Sequence, residues 1–155
     1  MNFEEFTGGL KRFIPEKIVF VALGNVYRGD DRAGLLFLYA LMRKEQFKNS
    51  RFINAGINPE NYLSQILFHE PSAVVFIDSV RGNNNPGIIE WIEENKMDSL
   101  QISTHAFSIR LIAEYLQKSM PVEVKFLGIS MGPATFGQEI SQAAIDSIKK
   151  FFRNS

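Results

Sequence analysis

The chain has 155 residues, and its 17 basic and 17 acidic side chains cancel. That length suits one domain, able to bury about 68–70% of the surface its unfolded form exposes, and the neutral balance gives no sign of nucleic acid or an anionic membrane as partner. Cysteine is absent, which excludes disulfides, thiolate nucleophiles and thiolate metal sites together and leaves oxygen and imidazole to hold any metal.

No apolar stretch approaches the length needed to cross a bilayer, and the first residues lack the apolar core of a secretory signal. The expectation is a cytoplasmic protein with no membrane insertion. Residues 1–16 place Phe3, Phe6, Leu10 and Phe13 at helical spacing around Gly8-Gly9. They read as a helical N-terminal extension docked on its own domain rather than as a partner-binding arm.

Residues 17–155 read as a single α/β domain. Lys17 to Leu23 is an apolar strand emptying into Gly24-Asn25, and Ala33 to Met42 is too long and apolar for a strand and reads as a buried helix. Arg51 to Asn54 predicts a second strand. Asn58-Pro59-Glu60 then opens a helix with Tyr62, Leu63, Ile66 and Leu67 on one face. Ala73 to Ile77 is a continuous apolar run of the kind buried on both faces, and it stops at Asp78. The turn residues Asn83-Asn84-Asn85-Pro86-Gly87 precede a short edge strand, Ile88 to Trp91. A helix over Ser108 to Leu116, a strand over Val122 to Leu127 and a closing helix over Ser141 to Phe152 complete the chain, the last with Ile140, Ala144, Ile148 and Phe151 in register. This alternation predicts a three-layer α/β/α sandwich around a twisted, mainly parallel five-stranded sheet.

Open sheets of that kind bind ligands beyond the carboxyl ends of their strands. Asp31, Asp78 and His105 all fall in such positions. Two carboxylates and an imidazole suit a borderline divalent ion such as nickel, zinc or manganese, and three ligands leave positions open. An ion so held could polarise a carbonyl, activate water, or arrive with the substrate. Plainer roles exist for each residue. Asp30 reads as a cap for the following helix, and Asp31 could be the same. His105 could cap a turn, and His69, beside Glu70 at a helix end, reads as structural. Asn25 suits an Asx turn, and Gly24 and Gly29 suit special backbone conformations. Arg28, Arg32 and Arg81 either offset the carboxylates or grip a peptide carboxylate or carbonyl.

The segment Gly24-Asn25-Val26-Tyr27-Arg28-Gly29-Asp30-Asp31-Arg32-Ala33-Gly34 resembles the Gly-Asn-x-x-x-x-Asp-Asp/Glu-Gly-x-Gly signature of hydrogenase maturation endopeptidases. The resemblance continues through Gly56 with Pro59-Glu60-Asn61, Phe76-Ile77-Asp78, Pro86-Gly87, Ser103-Thr104-His105 and Phe126-Leu127-Gly128-Ile129. It covers about residues 17 to 152.

The resemblance implies an enzyme that removes the C-terminal extension of a nickel-iron hydrogenase large-subunit precursor once nickel is inserted. Nickel is then a recognition element carried by the substrate, and no organic cofactor is implied. By position, Asp31, Asp78 and His105 become the catalytic and metal-contacting set, with Gly24, Asn25, Gly29 and Gly56 supporting the loops. Arg32 departs from the signature, which has glycine there. If that position demanded a positive φ, arginine would cost about 1–2 kcal/mol, which motivates an alternative in which the chain binds the precursor without cutting it. Leu23-Gly24-Asn25 also looks like the opening of peptidyl-tRNA hydrolases, but those have a histidine soon afterwards and this chain has none before His69. Receiver domains pair two acids after their first strand, yet here the pair lies too far beyond Leu23.

Overall fold

Six consecutive buried residues, Ile18–Leu23, make β1 a strand covered on both faces. The computed structural model describes residues 1–81, 85–97, 101–102, 106–132 and 137–153. In chain order these form α1 (Phe3–Gly8), β1, α2 (Ala33–Leu41), β2 (Arg51–Gly56), α3 (Leu63–Phe68), β3 (Ala73–Arg81), β4 (Ile89–Ile92), β5 (Gln101–Ile102), α4 (Ala106–Ser119), β6 (Glu123–Ser130) and α5 (Gln142–Phe152). The main sheet runs β2-β1-β3-β6-β4, and β5 pairs with β3 off that path. β1 is parallel to β2 and to β3, β3 is parallel to β6, and the edge strand β4 is antiparallel to β6. The five expected strands are therefore present in a mainly parallel sheet.

Two features differ from the sequence reading. β3 does not end where its apolar run ends but continues to Arg81, because β6 keeps pairing with it through Asp78↔Gly128, Ser79↔Ile129 and Val80↔Ser130. The two-residue β5 is also new, antiparallel to the tip of β3 through Val80↔Ile102 and Arg81↔Gln101. A charged side chain ends an apolar run without ending a backbone ladder, and two residues are too few for any periodicity to show.

Side chains alternate across a strand, so β3 feeds two cores. Ala73, Val75 and Ile77 join Phe6, Phe37, Leu38 and Phe151 on the face covered by α1, α2 and α5. Val74, Phe76 and Val80 join Ile66, Ile109 and Leu116 on the face covered by α3 and α4. No helix among the described residues is long and apolar enough to cross a membrane.

The N-terminal segment belongs to the first of these cores. Asn2 and Glu5 form a reciprocal capping box that starts α1. Phe6 is then fully buried and stacks on Trp91 at 5.2 Å, with edge contacts to Phe37, Phe47 and Phe151. Phe6→Ala should lower unfolding free energy by about 3–5 kcal/mol. Chemical denaturation checks this, and a change below about 1 kcal/mol would mean that the segment contributes little to the fold.

Candidate functional site

The site arises where β1 and β3 stop keeping company. Pairing between them ends at Ala22↔Ile77, so at Asp78 and Ser79 β3 keeps β6 on one side and a short gap on the other, before β5 joins that edge at Val80. The chain leaving β1 turns back over that gap. Gly24 has φ +151°, and a Cβ there would overlap the carbonyl oxygen of Asp31, so glycine is required for the turn to close on its own far end. Asn25 holds the turn by accepting the Tyr27 N–H on its side chain at 2.9 Å. Gly24 also donates its N–H to Gly56 O at 2.9 Å, and Gly29 to Gln138 O at 2.9 Å, tying the loop to its neighbours on both sides.

The helix that follows approaches the strand ends closely. A Cβ on Gly34 would lie 2.7 Å from Leu23 O, 3.0 Å from Ile77 O and 3.3 Å from Asp78 Cα. Only a glycine lets α2 pack this near the aspartate.

Asp31 and Asp78 are only 7% and 4% exposed. The Asp31 carboxylate accepts the Ser79 hydroxyl on Oδ1 at 3.0 Å and the Asn25 N–H on Oδ2 at 3.2 Å. Asp78 Oδ1 accepts the backbone N–H of Ser79 at 2.8 Å. One residue thus bonds both carboxylates, from its side chain to one and its backbone to the other. Asp78 also borders a small void lined by Phe76, Val80, Ile92, Met97 and Ile109. Ser79 escaped the sequence reading. Its signal is a polar residue between Asp78 and Val80, in a strand that the pairing with β6 prolongs.

Asp30 does something other than the expected capping. Its carboxylate turns to the connection between β6 and α5, accepting Gly132 N–H at 2.9 Å, Ser141 N–H at 2.6 Å and Ser141 Oγ–H at 2.8 Å. Ser141 is itself the N-cap of α5, accepting Ala144 N–H, so the negative charge sits at that helix's positive end. Arg32 corrects another expectation. Its backbone is right-handed, φ −86° and ψ 0°, so arginine occupies the position without strain.

His105 lies outside the described residues. On either side of it, β5 ends at Ile102 and α4 starts at Ala106. Because β6 still pairs with β3 at Val80, β5 occupies the edge that β1 has vacated. Among the described residues alone, no group of three or more histidine, cysteine, aspartate or glutamate side chains could hold a metal ion. His69 is the C-cap residue of α3, near the amino end of β3. Desolvation, and then Arg51, holds its imidazole below the ordinary histidine value.

The sequence pattern of a family described as hydrogenase maturation protease matches residues 38–154. This chain belongs to that family. The match begins beyond the Gly24 to Gly34 segment, and a Methanocaldococcus jannaschii protein that bears the name hydrogenase maturation protease is 30% identical over 121 residues, 74% of this chain and 72% of its own. The fold agrees. The NiFe hydrogenase maturation protease HycI of Thermococcus kodakarensis superposes with a TM-score of 0.76 at 24% identity, covering 90% of this chain and 89% of that one. A hydrogenase 3 maturation protease superposes with a TM-score of 0.74 at 26% identity, covering 88% and 87%.

The Asp30 tether makes a prediction for this member of the hydrogenase maturation proteases. Asp30→Ala strips two backbone N–H groups and a hydroxyl of a charged acceptor and should cost about 3 kcal/mol of stability. Denaturant unfolding, with far-ultraviolet circular dichroism as control for the native fold, measures it; a loss under about 0.5 kcal/mol would show the tether to be dispensable.

Proposed function

We propose that the chain is an endopeptidase that removes the C-terminal extension of a nickel-iron hydrogenase large-subunit precursor after nickel insertion, acting in the cytoplasm. Residues 17–155 form the catalytic unit, and the N-terminal segment braces it. The observation that carries this reading is the pair of buried carboxylates, Asp31 and Asp78, both bonded to Ser79 beyond the end of β1. In a maturation protease, such a pair suits a cation brought by the substrate. Asp31, Asp78 and His105 engage the substrate-borne nickel and so hold the scissile peptide against the loop after β1. A carboxylate offers about four acceptor sites, so an Asp31 that takes one hydrogen bond on each oxygen keeps capacity for a further ligand.

The chemistry is hydrolysis. Water adds to the scissile carbonyl, the carbon–nitrogen bond breaks, and the departing amine takes the proton that the water gives up. Gly24, Asn25, Gly29 and Gly56 serve by fixing the loops.

The competing readings lose their footing. A chain that binds without cutting was motivated by strain at Arg32, and that residue has an ordinary right-handed backbone. A receiver domain needs the acid pair to act together, whereas Asp30 is committed to Ser141 and Gly132.

The deciding experiment incubates the protein with a cognate precursor, with and without inserted nickel, and reads the C-terminal mass loss. Cleavage of the nickel-loaded precursor alone is expected. Asp31→Ala and His105→Ala should each reduce it at least a hundredfold while the fold persists. Cleavage retained in both variants would remove the assigned metal-contacting set, and cleavage of both precursor forms alike would remove nickel as the recognition element.

A further inference from the structure

We propose that Ser79 is a positioning residue for the peptidase reaction, fixing the rotamer of Asp31 through its hydroxyl and that of Asp78 through its backbone N–H. The inference rests on the proposed function for its kinetic consequence but on geometry alone for the contacts. Ser79 is fully buried, where a hydroxyl is retained only if it is bonded. Its Oγ donates to Asp31 Oδ1 at 3.0 Å, across 48 residues of sequence. Its N–H donates to Asp78 Oδ1 at 2.8 Å. The strand alternation makes this division necessary. Val75 and Ile77 place their side chains in the core beneath α2, and Ser79 continues that series, so its hydroxyl emerges on the α2 side where the loop after β1 carries Asp31. Asp78 belongs to the other series, with Phe76 and Val80.

The loop alone leaves the Asp31 side chain under-determined. Its backbone is set by Gly24 and by the Arg28 carbonyl, which accepts the Asp31 N–H at 3.0 Å. Its carboxylate has one partner on that loop, the Asn25 N–H on Oδ2. A single bond leaves the carboxyl plane free to swing, and the Ser79 hydroxyl on Oδ1 closes a second point of attachment. With both in place, the remaining acceptor positions of Asp31 have a fixed direction relative to β3 and to Asp78. Reaction rates depend steeply on such orientation.

The test compares the intact protein with Ser79→Ala and Ser79→Thr in three measurements. These are thermal unfolding, the carboxyl-carbon NMR resonance of Asp31, and kcat and KM for the nickel-loaded precursor. Ser79→Ala should stay folded and move the Asp31 resonance while leaving that of the exposed Asp146 in place. It should lower kcat roughly tenfold with KM within about twofold, as loss of one hydrogen bond implies. Ser79→Thr, which keeps the hydroxyl, should restore both readouts. An unmoved Asp31 resonance in Ser79→Ala overturns the proposal whatever the activity. So does an unchanged kcat, or a loss that Ser79→Thr fails to recover while unfolding at the wild-type temperature. If the wild-type protein cleaves no precursor, the peptidase reading falls by itself, and with it the kinetic role of Ser79.

Discussion

The whole site depends on β1 being shorter at its carboxyl end than its neighbour β3. Pairing stops at Ala22↔Ile77, yet β6 holds β3 in register to Val80. The unequal ends create a notch one strand wide, bounded by a rigid ladder on one side and by a returning loop on the other. Loops gain precision from what they lean on, and this loop leans on backbone. The Asp31 carbonyl sits against Gly24, α2 sits against the carbonyls of Leu23 and Ile77 through Gly34, and the N–H of Gly29 is spent on Gln138. A carboxylate borne on such a loop has little backbone freedom left.

Much of this was legible in the sequence, for identifiable reasons. β1 and the first part of β3 carry uninterrupted apolar runs and α1 and α5 carry capping residues, so element type there follows from periodicity and punctuation. Asp31 and Asp78 were legible because parallel sheets gather ligands at their carboxyl ends, which makes the end of an apolar run a place to look. What escaped is long-range. Asp30 looks like a helix cap to any local reading, and its real partner, Ser141, lies 111 residues away. Ser79 looks like an ordinary strand residue until β6 prolongs β3 beneath Asp31. Arg32 misled in the opposite direction, because a glycine in a signature need not mean a positive φ, and its φ is −86°.

The aromatic core explains how a small sheet keeps its notch open. Phe6, Phe20, Phe37, Phe47 and Phe151 meet beneath the α2 face at ring separations of 5.1–6.4 Å, and edge and tilted packing of this kind adds to the area effect. These rings fix α2 from below and from its far end. The face-to-strand contact at Gly34 then needs no side chain of its own. This aromatic cluster lies on the α2 face, while Asp78 borders the second apolar core on the opposite face.

Burying a carboxylate is costly unless donors face it, and the adjacent aspartates meet that demand in different ways. Asp30 receives three hydrogen bonds shared over both oxygens, all from the connection leading into α5. It is a structural anion, close to saturated, at the start of a helix. Asp31 receives one bond on each oxygen, from Asn25 and Ser79. Both groups are buried, but of about four acceptor sites Asp30 keeps roughly one and Asp31 roughly two. A pair of consecutive acids therefore splits its labour by direction, with Asp30 fastening the loop to the connection between β6 and α5 and Asp31 turned toward the strand that bears Asp78. Exchanging the two environments would change both: Asp31 would lose a spare acceptor position, and Asp30 without its donors would leave the loop, and Asp31 with it, unfastened.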